Sequence, residues 1–417
     1  MSDPVRPGVR QPAALTRRPA FWVVAALLAA GAVRIAQITG RFLDVYPLAT
    51  ITAILLFALL AVPFWLFVSE LDFLEREPAS LRVVAFAWGG LVATSVSIPG
   101  SNALENLIAK LGSPHLAAEW GAALAGPTVE EIAKTLGVIA IVLIARPQVN
   151  SVLDGVVYGA LVGLGFQIVE DVVFAVGAVS LAGGGDQIQP VVTTFLVRGF
   201  LAGVWSHTLF GALAGAGIGY LVVNPDRTRR HRIAMAGLAL AGAWASHVLW
   251  NSPLFRDGLG NGALALLAVL VFKGLPPLLL ILYLVRRAHD REAAYYVGKL
   301  AELRDPALIT DGELLVLGSG SRRAAARRHA AARAGRRARS AVRRLQRAQA
   351  RLAVELSRAT EPEVRHHAEV RKHRAVLEQL GHPEAVEGDR TWRHTVSTVG
   401  TTAVAIGVLW VALSLIN

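Results

Sequence analysis

Two adjacent carboxylates and a lysine lie inside one apolar run of the sequence, and this combination strongly limits the possible folds. The run extends from about residue 121 to residue 144 and contains Glu130, Glu131 and Lys134. Its length is typical of a membrane-spanning helix. Ionisable groups at that depth are costly unless they are paired or face a wet cavity, so they indicate a functional site. We therefore expect the rest of the chain to be organised around this span.

Composition points to the same class of protein. The chain has 417 residues, of which 54% are hydrophobic, which predicts an all-α, polytopic membrane protein rather than a soluble one. The absence of cysteine excludes disulfides and a cysteine nucleophile. Any metal ligands must therefore be histidine, carboxylate or neutral oxygen atoms.

Nine apolar runs predict nine membrane spans. They lie at about residues 19–38, 46–68, 83–99, 121–144, 152–179, 192–223, 233–253, 260–284 and 396–416. The predicted domains are a cytoplasmic tail (1–18), an eight-span membrane domain holding the active site (19–285), a basic helical cytoplasmic domain (286–394) and the ninth transmembrane helix (395–417).

The distribution of positive charge predicts the orientation. If the N-terminus is cytoplasmic, nearly all of the 42 Lys and Arg residues fall on the inner side or within spans, and the outer loops carry only Arg41, Lys110 and Arg256. The C-terminus then lies outside. The Arg- and Ala-rich composition suggests a bacterium, and hence the bacterial plasma (inner) membrane.

Two segments between these runs have their own patterns. Residues 101–120 show a short amphipathic pattern, and both a helix along the membrane face and a plain surface loop stay open. The sequence from Lys273 to Pro277 interrupts the eighth run with a lysine, a glycine and two prolines. We expect a kink there, whose freed backbone groups need partners.

The basic domain is predicted to be helical. We expect helices at 291–303 and 321–359, a break at Asp305 and Pro306, and a third helix opened by a capping box at Thr360–Glu363 and ending near Gly381. A solvated helical hairpin and a surface that binds anionic lipid or a cytosolic partner are both open interpretations. Nucleic-acid binding is not expected, because the basic run itself lacks aromatic residues.

Four consecutive spans carry polar side chains at related depths. Glu130 and Lys134 are spaced i, i+4 and share a helix face, with Glu131 about 100° away. The next three spans contribute Phe166 and Glu170 with Asp171 beside them, then His207, then His247 and Asn251. If the spans alternate in direction, all of these levels converge on the outer half of the bilayer.

These residues suit hydrolysis by activated water. A carboxylate such as Glu130 or Glu131 can take a proton from water, and a histidine or asparagine can donate to the developing oxyanion, with or without a metal. Lys134 can keep one glutamate ionised. The sequence shows no Ser-His-Asp or His-Glu-x-x-His pattern. An ion-coupled transporter or a non-proteolytic scaffold are the alternatives from other classes, although no internal repeat typical of a transporter is visible.

Glycines at four-residue spacing predict close helix packing around this site. They are Gly155, Gly159 and Gly163 in the fifth run, and Gly211, Gly215 and Gly219 in the sixth. Small residues at that spacing let helix backbones approach closely.

The order of the four polar motifs resembles the PrsW family of intramembrane proteases, which belongs with the CAAX protease and Abi group. The motifs are Glu130-Glu131-x-x-Lys134, Phe166-x-x-x-Glu170, His207 and His247-x-x-x-Asn251. The resemblance implies peptide-bond hydrolysis at the membrane. One of Glu130 and Glu131 would activate water, and His247 with Asn251 would assist the oxyanion or a metal.

The resemblance also implies a partner and a cofactor. The expected substrate is a membrane-anchored protein, as in site-1 cleavage of an anti-sigma factor. Glu170, His207 and His247 would form a zinc site with an open position for water, although metal-free glutamate proteases are also described among relatives. A CAAX-like membrane endopeptidase is the alternative enzyme, but such enzymes place a histidine where this chain has Glu170.

Overall fold

The computed structural model describes residues 15–71, 73–201, 206–254, 269–358, 364–382 and 384–386. Every regular element in these ranges is helical, which confirms the all-α part of the predicted fold class. The α-helices are α1 (Pro19–Val45), α2 (Pro47–Leu71), α3 (Ala79–Leu111), α4 (Pro114–Ala145), α5 (Val152–Ala182), α6 (Gln189–Thr194), α7 (Ser206–Val223), α8 (Arg229–Asn251), α9 (Leu275–Ala301), α10 (Asp311–Leu317), α11 (Gly320–Arg358) and α12 (Val364–Gln379).

Five of these helices, α1, α2, α3, α5 and α8, are long and apolar enough to cross a membrane, and α7 is a shorter apolar helix. The chain is therefore a multi-pass membrane protein. The count of nine spans stays a prediction, as do the orientation and the cytoplasmic placement of the basic domain. The ninth run and part of the eighth lie outside the described residues.

Helix α5 forms the centre of the membrane domain, and α2, α3 and α7 pack around it. Its contact with α7 confirms the predicted glycine packing. A Cβ atom on Gly159 would lie 2.0 Å from the carbonyl oxygen of Gly211, and one on Gly163 would lie 2.1 Å from that of His207. No side chain fits at those distances, so glycine alone permits this approach. The close contact fixes the height of His207 against α5.

A polar cap fixes the start of α5, and a carboxylate just beyond its end caps α2. Ser151 and Asp154 form a capping box at its first turn. Beyond its last turn, the Asp186 carboxylate accepts hydrogen bonds from the backbone N–H groups of Leu48 and Ala49, at 2.8 and 2.9 Å. These groups lie at the first turn of α2, where a helix leaves N–H groups unpaired. The end of α5 and the start of α2 therefore lie on the same side of the domain.

Within the described residues, three segments of π-helix interrupt the α-helical pattern. They are Trp88–Ala93 within α3, Phe195–Leu201 directly after α6, and Leu270–Gly274 directly before α9. The third coincides with the interruption expected at Lys273 to Pro277. There the Lys273 ammonium group donates a hydrogen bond of 2.7 Å to the backbone carbonyl of Ser252. The lysine thereby supplies a partner to a carbonyl group just past the end of α8.

Segment 101–120, predicted to lie outside, is helical except for a short turn, so the alternative of a plain loop is wrong. Its first half continues α3 to Leu111, and its second half begins α4 at Pro114. The Ser113 hydroxyl between them accepts a hydrogen bond from the Leu116 backbone and caps α4. The amphipathic pattern thus belongs to a helical hairpin.

The chain divides into two compact units, and the second contains residues 300–352 and 363–417. In its described part, the buried Glu313 carboxylate accepts hydrogen bonds from Arg374, Gln349 and the Ala385 backbone. Helices α11 and α12 cover the predicted helices of this region, but α11 is broken at Ala334 and Gly335, where the backbone is not helical. Helix α10 was not predicted. The expected capping box at Thr360–Glu363 lies outside the described residues.

Candidate active site

Four helices bring all seven predicted site residues into one connected cluster. Helix α4 carries Glu130, Glu131 and Lys134, α5 carries Glu170, α7 carries His207, and α8 carries His247 and Asn251. The residues interact through the contacts described below, which cross from one helix to the next. The predicted convergence of these side chains is therefore present in the fold.

Glu131 is held by two partners through one oxygen atom. The Lys134 ammonium group donates to its Oε1 atom at 2.5 Å, and His247 Nδ1 lies 2.8 Å from the same atom. Because a carboxylate only accepts, Nδ1 of His247 carries the proton and Nε2 presents its lone pair. The i, i+4 spacing in the sequence placed Lys134 on the same helix face as Glu130. In the structure, Lys134 instead forms its salt bridge with Glu131, at i, i+3 spacing.

His207 is held in the same manner by a different carboxylate. Its Nε2 atom lies 2.9 Å from Glu170 Oε2, so Nε2 carries the proton and Nδ1 presents its lone pair. The Lys134 ammonium group lies 3.1 Å from that Nδ1 atom and 4.8 Å from the centre of the Phe166 ring. Phe166 also packs on the His207 ring, with 5.0 Å between centroids. The motif phenylalanine thus supports both the lysine and the histidine.

Glu130 faces the two lone pairs. Its Oε2 atom lies 3.8 Å from His207 Nδ1 and 3.8 Å from His247 Nε2. This oxygen is buried and has no hydrogen-bond partner among the described residues. Glu130, His207 and His247 each offer one ligand atom, and these three atoms lie within 4.8 Å of one another. Among the described residues, this is the one group of side chains that could hold a metal ion. The predicted ligand set differs from it in having Glu170 in place of Glu130.

A small space borders the second oxygen of Glu130. A Cβ atom on Gly126 would lie 3.1 Å from Glu130 Oε1 and 3.9 Å from the Asn251 amide nitrogen. The glycine therefore leaves free volume between a carboxylate oxygen and an amide donor. The same amide nitrogen lies 3.4 Å from His247 Nε2. Asn251 can thus reach either the histidine or a group bound in this space.

Apolar contacts enclose the two imidazoles. The rings of His207 and His247 meet edge to face at 4.9 Å, and Phe210 stacks on His247 at 4.9 Å. Both histidines are buried, as are Glu130, Glu131 and Lys134. Electrostatic interactions are strong in such surroundings because water does not screen them.

Arg198 also belongs to the site, although the sequence pattern did not predict it. Its Nη2 atom donates to Glu170 Oε2 at 2.7 Å, and its Nε atom donates to Asp171 Oδ1 at 2.5 Å. The arginine lies in the π-helical segment Phe195–Leu201, and such segments often occur at functional sites. The sequence did contain a signal for this residue, because an arginine inside an apolar run is rare unless it is paired with a carboxylate or another polar group.

This arrangement can activate a water molecule and stabilise negative charge. Each histidine is oriented by a carboxylate on one nitrogen and turns its other nitrogen towards Glu130. Metal-binding histidines are oriented in the same way by carboxylates in the outer shell. An amide donor and a lysine cation lie beside the same point. The cluster therefore has the elements of a hydrolytic site, with or without a bound ion.

Comparison with known proteins agrees with this geometry. Residues 77–276 match the model of a family described as PrsW family intramembrane metalloprotease. The matched segment contains α3 to α8 and all seven residues of the cluster. No curated protein and no solved structure gave a match.

Proposed function

Residues 77–276 belong to the PrsW family of intramembrane metalloproteases and form a membrane-embedded hydrolase, and from this premise we propose that Glu130 activates the water that cleaves a membrane-anchored protein. The family supports intramembrane proteolysis and a membrane-protein substrate. The cluster supplies the candidate residues and suggests their roles.

The position of Glu130 between the two histidines is the observation that carries this proposal. Its Oε2 atom faces His207 Nδ1 and His247 Nε2 and lacks a hydrogen bond among the described residues. Glu131 Oε2 is also buried without a partner among the described residues, but the Oε1 atom of Glu131 is held by Lys134 and His247, so position between the two histidines is what distinguishes Glu130. A buried carboxylate oxygen without a partner is costly, so it indicates a ligand, substrate or water that interacts there.

The same three residues fit a divalent metal ion. Two imidazole nitrogens and one carboxylate oxygen are the donor set of catalytic zinc sites, which leave one position open. His207 Nδ1 would have to exchange its 3.1 Å contact with Lys134 for the ion. We propose that Glu130, His207 and His247 would hold zinc. Bound there, zinc would supply a water molecule with its pKa lowered to about 7 and a Lewis acid for the carbonyl group. Glu170 and Glu131 would then act as the outer carboxylates that orient the two histidines.

The remaining steps are proposed for the chain's own residues. In the version without a metal, Glu130 takes a proton from water as the oxygen attacks the peptide carbonyl carbon. The Asn251 amide donates to the oxygen atom on which negative charge develops. Protonated Glu130 then gives its proton to the leaving nitrogen as the C–N bond breaks. Lys134 offsets the charge of Glu131 throughout.

The substrate and the topology are proposals of the same kind. A single-span protein fits a site inside a helical bundle, and an anti-sigma factor is the substrate class that the family resemblance suggests. With the N-terminus in the cytoplasm, Glu130 lies about nine residues from the outer end of its apolar run, or roughly 14 Å. Cleavage is then expected in the outer half of the bilayer of a bacterial plasma membrane.

A cleavage assay in membranes tests the proposal. A panel of epitope-tagged single-span proteins, including anti-sigma factors, is co-expressed with the wild type, Glu130→Gln, Glu131→Gln or His247→Ala. Glu119→Gln serves as the matched control, because Glu119 is exposed on the same helix. We expect cleavage by the wild type and the control and a loss of at least about 100-fold in the Glu130 variant. Equal cleavage by every variant would overturn the proposal.

A chelator separates the two versions of the mechanism. If a membrane-permeant zinc chelator stops cleavage and added zinc restores it, the three residues hold a catalytic metal. If the chelator has no effect while Glu130→Gln stops cleavage, Glu130 acts without a metal. The second result would remove zinc from the account and leave the role of Glu130 intact.

A further inference from the structure

An apolar groove lies next to the catalytic cluster, on the membrane-facing surface of the domain. It runs between the second half of α5 and the segment formed by α6 and its π-helical continuation, and its volume is about 570 Å³. Phe174 and Leu181 line one wall and Val197 lines the other. Pockets that bind ligands have volumes in this range, about 300–1,000 Å³. The groove is therefore large enough to hold several side chains.

The walls of the groove are exposed apolar side chains. Leu181 is 90% exposed, and Phe174 and Val197 also lie open to the surroundings. Since α5 is long and apolar enough to cross a membrane, these side chains face hydrocarbon rather than water. A molecule that enters the groove therefore comes from within the bilayer.

Arg198 connects the groove to the catalytic cluster. Its guanidinium group lies 4.0 Å from the centre of the Phe174 ring and forms part of the lining. On its other side it donates to Glu170, whose Oε2 atom also lies 2.9 Å from His207 Nε2. One residue therefore separates the apolar groove from the carboxylate that orients His207.

The guanidinium group also has a donor to spare. Its Nε and Nη2 atoms donate to Asp171 and Glu170, whereas Nη1 has no hydrogen-bond partner among the described residues. Arginine carries five N–H donors in a planar fork. An unused donor at the head of an apolar groove favours an occupant that is apolar along its length and offers an oxygen acceptor deep in the bilayer.

A transmembrane peptide that has been opened for cleavage meets that description. The carbonyl groups of a transmembrane helix are paired within the helix, and they lose these partners when the segment unwinds. An unpaired carbonyl group in hydrocarbon is costly, so a donor there stabilises the opened segment. A lipid acyl chain would fill the apolar walls but has no acceptor at this depth.

We propose that this groove holds the opened stretch of the substrate's transmembrane segment beside the scissile bond, and that Arg198 Nη1 donates to one of its carbonyl oxygens. This inference rests on the proposed function and adds the route by which the substrate reaches the catalytic cluster. Arg198 thereby serves both as a substrate-binding residue and as a partner of Glu170.

Photo-crosslinking in the full-length chain tests the proposal. A benzoylphenylalanine residue replaces Val197 in the Glu130→Gln background, and the probe is the panel protein that the wild type cleaves best. The control position is Leu238, which is 66% exposed on α8 and does not line the groove. We expect a covalent adduct with the probe from position 197 and none from position 238. Adducts only with lipid, or with this chain's own segment 396–416, would overturn the proposal.

Filling the groove provides a second, independent test. A Cβ atom on Gly177 has no neighbour within 4 Å, so Gly177→Leu should fold and occupy the groove. Gly237→Leu is the matched control, since Gly237 on α8 also has open space around it. We expect Gly177→Leu to raise KM by about tenfold with little change in kcat, because it blocks binding rather than chemistry. The control variant should behave like the wild type.

The two proposals fail in different ways. If the wild type cleaves the probe and Glu130→Gln does not, the proposed function stands. If, in the same membranes, Gly177→Leu cleaves like the wild type and position 197 gives no adduct, the groove proposal is wrong. If the wild type cleaves no panel protein, the proposed function falls and the groove proposal falls with it.

Discussion

The Nδ1 atom of His247 lies 2.8 Å from Glu131 Oε1, on the side of the imidazole ring opposite to Glu130. Glu131 is therefore better placed to orient the histidine than to reach the reacting water. The adjacent glutamates of the motif thus have different proposed roles, although they are neighbours in sequence. His207 is oriented in the same way, by Glu170.

We expect Glu131→Gln to weaken zinc binding by about 10- to 100-fold, which is the usual effect of losing an outer carboxylate partner. The amide oxygen can still accept from the Nδ1–H group and from Lys134, but it carries no negative charge to strengthen either contact. The measurement is the zinc retained by the purified protein in competition with a chelator of known affinity. Glu119→Gln should retain zinc like the wild type, and an unchanged affinity in Glu131→Gln would contradict the proposed role.

Gly126 tests the space beside Glu130. In Gly126→Ala, the new Cβ atom would lie 3.1 Å from Glu130 Oε1, closer than side chains normally pack. We expect cleavage to fall by about 10- to 100-fold, because small misplacements of reacting groups have effects of this size.

The control for this variant is Gly40→Ala, since a Cβ atom there has no neighbour within 4 Å. Both proteins should show the same unfolding temperature within a few degrees. If Gly126→Ala cleaves the substrate at the wild-type rate, the free volume beside Glu130 has no part in the reaction.

Gly163 tests the packing that positions His207. A Cβ atom on Gly163 would lie 2.1 Å from the carbonyl oxygen of His207, so Gly163→Ala must push α7 away from α5. Overpacking of this kind typically costs about 1–3 kcal/mol. We expect a lower unfolding temperature in detergent and a loss of zinc binding. Gly237→Ala, with open space around it, should change neither quantity, and a neutral Gly163→Ala would show that the helices do not pack this closely.

Much of the membrane domain could be predicted because its signals are local. Apolar runs indicate the helices, and glycines at four-residue spacing indicate where two of them meet. Segment 101–120 was ambiguous, since its amphipathic pattern suits either a surface helix or a loop until the hairpin at Ser113 is seen. Helix α10 was missed because its seven residues are too few to show a clear period.

It was harder to predict which site residues contact each other than to predict which residues belong to the site. The spacing of Glu130 and Lys134 suggested a pair, but i, i+3 neighbours are equally close on a helix, and contacts from α7 and α8 decide which forms. Arg198 was missed because its partners Glu170 and Asp171 lie on another helix. A helix buried on most sides, such as α5, has no polar face that reveals its rotation.

The second unit depends on a buried ion pair between Arg374 and Glu313, at 2.6 Å. Arg374→Met leaves the Glu313 carboxylate buried without its cation, a change that costs about 3–5 kcal/mol in comparable pairs. We expect chymotrypsin to digest this unit much faster in the full-length variant.

Arg371→Met is the matched control, because the Arg371 side chain is 60% exposed and makes only a 3.5 Å contact with Asp305. Its digestion should follow that of the wild type. Equal digestion of both variants would show that the buried pair does not stabilise the unit.

The central claim is that Glu130 activates water for cleavage of a peptide bond in the membrane. Its most direct test uses purified protein in liposomes with the best panel substrate, in water enriched in heavy oxygen. Mass spectrometry should find heavy oxygen in the new C-terminal carboxyl group of the product formed by the wild type, and no product from Glu130→Gln. The same labelled product from both proteins, or no product from either, would contradict the account.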